Sequence, residues 1–197
     1  MELAVGNLEY AGKVEDLVNC LLTIDPLYRA ISKVSYVSGK IKVPWRTKYV
    51  ERNREIIGEW MKYRKLQSAM TELTFIIPKA VLRANKEYVP NHGRLIVLTS
   101  YPMVKNFVDI LTGSLVIGSG YPINSKNHLL RRISEAFLVS RSAIVTNFSR
   151  NADDTIGDAA HELGHTLGLK HHSECAMNYS GKSTKFCDSC KSTLSNF

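Results

Sequence analysis

The chain has 197 residues, 44% of them hydrophobic and 22% charged, with a formal net charge of +8. This is ordinary globular usage, with length enough for one sizeable core. No run of about 18 apolar residues occurs, which excludes a helical membrane span, and Met1 to Leu8 lack the basic and apolar regions of a secretory signal. The positive charge is spread out rather than clustered, so a solvated basic surface is expected in preference to a nucleic-acid partner.

Residues 2–8 read as a first strand. Val14, Leu17, Val18, Leu21 and Leu22 recur at helical spacing, Cys20 reads as a small core residue, and Asp25-Pro26 ends that helix. A strand-like stretch from Ile31 to Val37 follows, and strand, helix, strand suggests a parallel pair. From Arg46 to Lys65, Tyr49, Val50, Asn53, Ile56, Ile57, Trp60 and Met61 lie along one side of an expected long helix. That stripe fits core packing, with an aromatic-basic nucleic-acid surface as the other use of the spacing. Pro78 and Pro90 bracket an expected helix over Lys79 to Glu87, and His92 reads as a surface histidine.

Arg94 to Ser100 is a buried strand. Leu115 to Gly120 is another, whose glycines permit close backbone approach beside a cleft. Leu129, Leu130, Ile133, Ala136 and Phe137 suggest an amphipathic helix, with His128 near its start, and Ala143 to Thr146 a last strand. Asp154 or Thr155 is expected to cap the following helix, with Ile156, Ala159, Ala160, Leu163 and Leu167 facing the sheet.

That helix carries His161-Glu162-Leu163-Gly164-His165, then Gly168 and His171. Histidines four apart share one helix face, one turn above the other. Glu162 stands where a carboxylate can activate water at a metal. Gly168 permits the helix to stop and turn, which brings His171 in as a third ligand. Three protein ligands leave one position open, as catalytic zinc sites do. The full H-E-x-x-H-x-x-G-x-x-H pattern is far more specific than its first five residues, and it is the metzincin signature.

Behind the motif come His172, Cys175, Met177, Tyr179 and the pair Cys187-Asp188-Ser189-Cys190. Three thiolates and one imidazole so close in sequence would complete a tetrahedral structural zinc that staples a tail with little core of its own. A redox pair or a disulfide is the competing reading of the C-x-x-C. The crowding of cysteines fits a reducing compartment.

Together these residues resemble the archaemetzincins. His161, Glu162, His165, Gly168 and His171 match the catalytic part of that family's pattern. Cys175 and Met177 match its C-x-M element, and Cys187 and Cys190 its distal pair. The family binds its second zinc through four cysteines; here His172 stands where the first is expected, so the resemblance implies a site of three cysteines and one histidine. It further implies an α/β (α+β) fold: a mixed twisted sheet with packed helices, an active-site helix and a small zinc-stapled C-terminal subdomain. A single domain over 1–197 is expected, with the upper part about 1–168 and the lower part about 169–197. Met177 would form the floor beneath the zinc or simply pack in the core. Tyr179 would ligate the zinc or stabilise the oxyanion, as in some metzincin branches, or pack as a core aromatic.

The expected function is a zinc metallopeptidase holding two Zn2+ per chain, with His161, His165 and His171 as catalytic ligands and Glu162 as general base. The substrate would be a peptide or protein, added along an edge strand, with Ala143–Thr146 the first choice. A monomeric, cytoplasmic protein is expected. The alternative is a zinc-stabilised peptide-binding module with little or no hydrolysis. A basic nucleic-acid-binding protein with a zinc-stapled tail is a third reading.

Overall fold

The structure is a computed structural model that describes residues 1–44, 46–50, 72–105, 116–121, 141–148, 150–179 and 183–195. In chain order these form β1 (Glu2–Leu8), α1 (Val14–Leu21), α2 (Leu27–Ala30), β2 (Lys33–Tyr36), β3 (Arg46–Val50) and β4 (Glu72–Ile76). Then come α3 (Pro78–Ala84), β5 (Gly93–Thr99), β6 (Gly118–Tyr121), β7 (Ser142–Thr146), α4 (Ala152–Thr166) and α5 (Asp188–Leu194).

Five strands make one mixed sheet in the order β2-β1-β5-β7-β6. β1 pairs in parallel with β2 and β5, β5 pairs in parallel with β7, and β6 runs antiparallel at the edge. Central β5 is buried at every position, as a strand covered on both faces must be. Side-chain alternation sorts the sheet's residues into two layers. Leu3, Val5, Ile96, Leu98, Ala143 and Val145 face α1 and α4. Ala4, Leu95, Val97 and Ile144 face Val81 and Leu82 of α3 and Ile76 of β4. The tail's apolar residues Cys175, Met177, Phe186, Cys190 and Leu194 join the first of these cores. No helix among the described residues is long and apolar enough to cross a membrane.

Several expectations change. Arg46–Val50 is not the start of a helix but a strand paired antiparallel with Glu72–Ile76. The rest of that expected helix and the one over 129–137, with His128, lie outside the described residues. Cys20 is exposed, because it sits roughly 100° around the helix from the Val14–Leu17–Val18–Leu21 stripe. Ala143–Thr146 is not an edge: β7 is paired on both sides, and among the described residues the sheet's edges are β2 and, next to β7, β6.

α4 starts one turn earlier than expected. Asn151, not Asp154 or Thr155, is the N-cap, its side chain accepting from the Asp154 N–H at 2.7 Å. Asp153 and Asp154 then fill the first turn, where the helix dipole favours negative charge. At the other end Gly168 takes φ 86°. Its N–H donates to the His165 carbonyl and the Leu169 N–H to the Gly164 carbonyl, both at 3.0 Å, a Schellman arrangement that only a left-handed residue closes cheaply. Buried Arg94 of β5 donates its Nε–H to the Thr166 carbonyl at 2.8 Å. Its charge therefore sits at the negative end of the helix.

Candidate metal centre

His161 and His165 point out of α4 one turn apart, and the turn at Gly168 returns the chain so that His171 joins them. The Nε2 atoms of His161 and His165 are 3.0 Å apart, and those of His165 and His171 are 3.1 Å apart. The three rings offer one ligand atom each within 4.8 Å of one another.

Protonation decides what that closeness means. His161 Nδ1 lies 2.8 Å from the Ala176 carbonyl and His165 Nδ1 3.0 Å from the Leu169 carbonyl. Carbonyl oxygens only accept, so both Nδ1 atoms carry the hydrogen. In a neutral imidazole the Nε2 then bears the lone pair. Burial pushes the His161 imidazolium below its usual range and that of His165 down to about 4, so both rings are neutral at pH 7. Two lone pairs therefore face each other across 3.0 Å with no proton between them. A cation resolves that repulsion. Tetrahedral zinc with bonds of about 2.0–2.1 Å sets its nitrogens about 3.3 Å apart, close to the spacing found. The residues fit a zinc ion, with backbone carbonyls fixing the tautomers of two ligands.

Glu162 is buried beside the first ligand. Burial pushes its carboxyl up to about 8, with the charge of Asp158 adding to this and the Gly120 N–H donating to it and opposing. Edge strand β6 reaches it through two glycines. A Cβ at Gly118 would fall 2.5 Å from Glu162 Cγ and 2.7 Å from its Oε1. A Cβ at Gly120 would fall 2.3 Å from the Glu162 carbonyl oxygen. The Gly-Ser-Gly of β6 is thus what permits this strand to lie on the carboxylate.

Below α4, Met177 is fully buried, and a Cβ at Gly164 would meet its Sδ at 2.4 Å. The glycine inside His161–His165 therefore admits the methionine beneath the helix, a role the motif's spacing does not reveal. Tyr179 is 84% exposed, which removes the core-packing reading. Its ring stacks on His171 with centroids 3.9 Å apart and planes at 28°.

The tail gathers a second set of donors. His172, Cys187 and Cys190 offer ligand atoms within 4.8 Å of one another. Cys187 and Cys190 Sγ are 3.5 Å apart, and Cys175 Sγ joins Cys190 at 4.0 Å. Thiolates on one tetrahedral zinc lie about 3.8 Å apart for bonds of about 2.3 Å, so this set also fits. Cys187 is the N-cap of α5. The Cys190 N–H holds its thiol below the usual range, as helix N-termini do for thiolates. Burial pushes Cys190 up to about 12.

Three features lie outside the sequence reading. Arg94 at the end of α4 is one; a lone arginine in an apolar strand gives no hint of its partner. Arg150 and Asp158 are another: Nε and Oδ2 lie 3.0 Å apart, an i, i+8 pair across the start of α4 that no local pattern encodes. The third is Gly164, whose place in the middle of a helix was the available signal.

No family model matches the sequence. An archaemetzincin of Sulfolobus acidocaldarius is 39% identical over 74 residues, which cover 33% of this chain and 40% of that protein. The match thus spans well under half of that curated relative. Among solved structures, an archaemetzincin from Methanopyrus kandleri superposes with a TM-score of 0.61 at 17% identity, over 100% of this chain and 94% of the other. An archaemetzincin from Archaeoglobus fulgidus, complexed with malonate, gives 0.54 at 15% identity, over 98% and 99%. A zinc-dependent peptidase from Methanocorpusculum labreanum gives 0.51 at 15% identity, over 98% and 99%. At such identities the structural matches speak to fold alone, and the mixed sheet with packed helices is the fold they share. By sequence along a third of its length and by fold along all of it, the chain is archaemetzincin-like.

Proposed function

We propose that the chain is a zinc metallopeptidase, with His161, His165 and His171 as zinc ligands and Glu162 as general base. The observation that carries this reading is the pair of carbonyl-anchored imidazoles whose unprotonated Nε2 atoms face each other at 3.0 Å, beside a buried carboxyl. The curated relative's name and the zinc-dependent peptidase among the structural neighbours support it.

Zinc held there supplies Lewis acidity toward a peptide carbonyl and makes water easier to deprotonate. Glu162 accepts that proton on its carboxylate and passes it to the leaving amine. The carboxyl is pushed up to about 8 by its own surroundings, so it is ionised at neutral pH only beside a positive charge. The Gly120 N–H steadies the carboxylate form. An extended substrate pairs with the outer edge of β6, whose main chain orients a peptide independently of sequence. Tyr179, stacked on His171 at the rim, is the phenol available to the developing oxyanion.

His172, Cys175, Cys187 and Cys190 would hold a second zinc, which would make two per chain. The chain works as one protease domain, with residues up to about 168 above the cleft and the remainder below. Metal analysis of the purified protein, followed by cleavage of a peptide library, tests the reading. Two zincs and cleavage lost in Glu162→Ala support it. Cleavage by Glu162→Ala at the parent's rate contradicts it.

A further inference from the structure

The two donor sets meet in one loop. His171 of the triad is followed directly by His172 of the tail set. Cys175 of the tail set is followed directly by Ala176, whose carbonyl anchors His161 Nδ1 at 2.8 Å. The loop closes on itself: the His172 N–H donates to the Met177 carbonyl at 3.1 Å, and the Met177 N–H donates to Cys175 Sγ at 3.2 Å. The Ala176 N–H donates to the Lys185 carbonyl at 2.6 Å, which ties the loop to the strand of chain leading into Cys187. Between these ties Glu174 takes φ 59°, a left-handed conformation that a residue with a Cβ holds only when its surroundings impose it.

We infer that His172 and Cys175 are positioning residues for the triad: an ion captured by the tail set orders the 171–177 loop and thereby raises the triad's affinity for its own ion. One triad ligand, His171, and the tautomer anchor of another, Ala176, each lie one residue from a tail ligand. An empty tail set leaves both held only by these hydrogen bonds, and the triad then has to order the loop further at the expense of its own binding. The coupling is reciprocal, since a loaded triad holds the same loop for the tail ion. This inference rests on the peptidase reading for the identity of the triad.

Cobalt(II) alone, titrated into the metal-free full chain, separates the two sites. A thiolate site shows intense sulfur-to-metal charge transfer, and a site of three imidazoles shows only weak ligand-field bands. In Cys187→Ser, and in His172→Ala, which removes no buried side chain, the triad's cobalt affinity is expected to fall roughly tenfold, within the usual range of such couplings. Triad affinity within about twofold of the parent in both variants, with the tail empty, overturns the inference.

A second arm needs no change in the tail. Chelator competition measures how tightly the tail holds cobalt in the parent with a loaded triad, and in His165→Ala, where the triad is disabled. Tighter holding in the parent by the same factor supports the coupling even where the tail variants fail to fold. Equal holding overturns it. A parent triad that takes up no cobalt at any concentration contradicts the peptidase reading itself, a result distinct from uptake without coupling.

Discussion

The Nδ1–H of His161 donates to the carbonyl of Ala176 across 2.8 Å, and this bond commits the ring's other nitrogen to a lone pair. The consequence is a pH dependence for metal uptake. Protons compete with the ion for Nε2, and burial holds the imidazoliums of His161 and His165 below the usual range, the latter at about 4. Fewer protons then have to be displaced from these two rings near pH 6 than from free imidazoles, so triad loading should survive to lower pH than free imidazole would allow. Zinc content followed from pH 7 to 4 checks this, and loss of the triad ion already complete at pH 6.5 would speak against the depressed values.

Glu162→Gln should keep both ions and lower kcat by about 10²–10⁴, the range expected when a positioned acid–base group is removed. In the metal-free protein the same substitution should change the pH dependence of stability. A carboxyl raised from 4.5 to about 8 by folding binds more protons folded than unfolded across that interval, so this group makes stability fall as pH rises from 4.5 to 8. Metal-free Glu162→Gln should lack that fall. Melting curves of both proteins between pH 6.5 and 8 decide it, because the opposing contribution of His165 lies between 4 and 6.5.

Gly118→Ala isolates the contact between β6 and the carboxyl. The new Cβ would sit 2.5 Å from Glu162 Cγ, so the side chain must move while the histidine ligands stay. The expected result is a fall in kcat of roughly tenfold or more, comparable to misplacing a reacting group by about 1 Å, with metal content unchanged. Steady-state kinetics and metal analysis on the same preparation give the answer, and an unaltered kcat would mean β6 does not lie on Glu162.

Gly164→Ala sets two effects against each other. Alanine gains up to about 1 kcal/mol of helix propensity over glycine. Its Cβ would meet Met177 Sδ at 2.4 Å in a fully buried site, where overpacking costs about 1–3 kcal/mol. The clash should win, giving net destabilisation of about 1 kcal/mol on denaturant unfolding. A stabilised variant would mean that no side chain lies beneath the helix there.

Much of the fold can be read along the chain, and what resists reading is what depends on distant partners. β1, β5 and α4 are legible because burial on their faces shows directly as apolar runs or a helical stripe. β3 is not, since its helical-looking spacing yields to pairing with residues 72–76, a contact no local pattern announces. The choice of edge strand fails for an instructive reason. Ser142–Thr146 is buried throughout, and that continuity, which makes it a convincing strand, marks an interior one. Gly118–Tyr121 looks weaker because an edge lying on a carboxylate needs glycine. In the site, the ligand types and their spacing are written in the sequence. The carbonyls of Ala176 and Leu169 that fix the tautomers are backbone atoms, which side-chain patterns cannot encode.

The most direct measurement is a crystal structure of the zinc-loaded protein with anomalous data at the zinc edge. The expected result is an anomalous peak bonded at about 2.0–2.1 Å to Nε2 of His161, His165 and His171, with a solvent oxygen completing the shell on the Glu162 side. A triad without a peak, or a peak whose fourth ligand is a protein atom closing off that side, would contradict it.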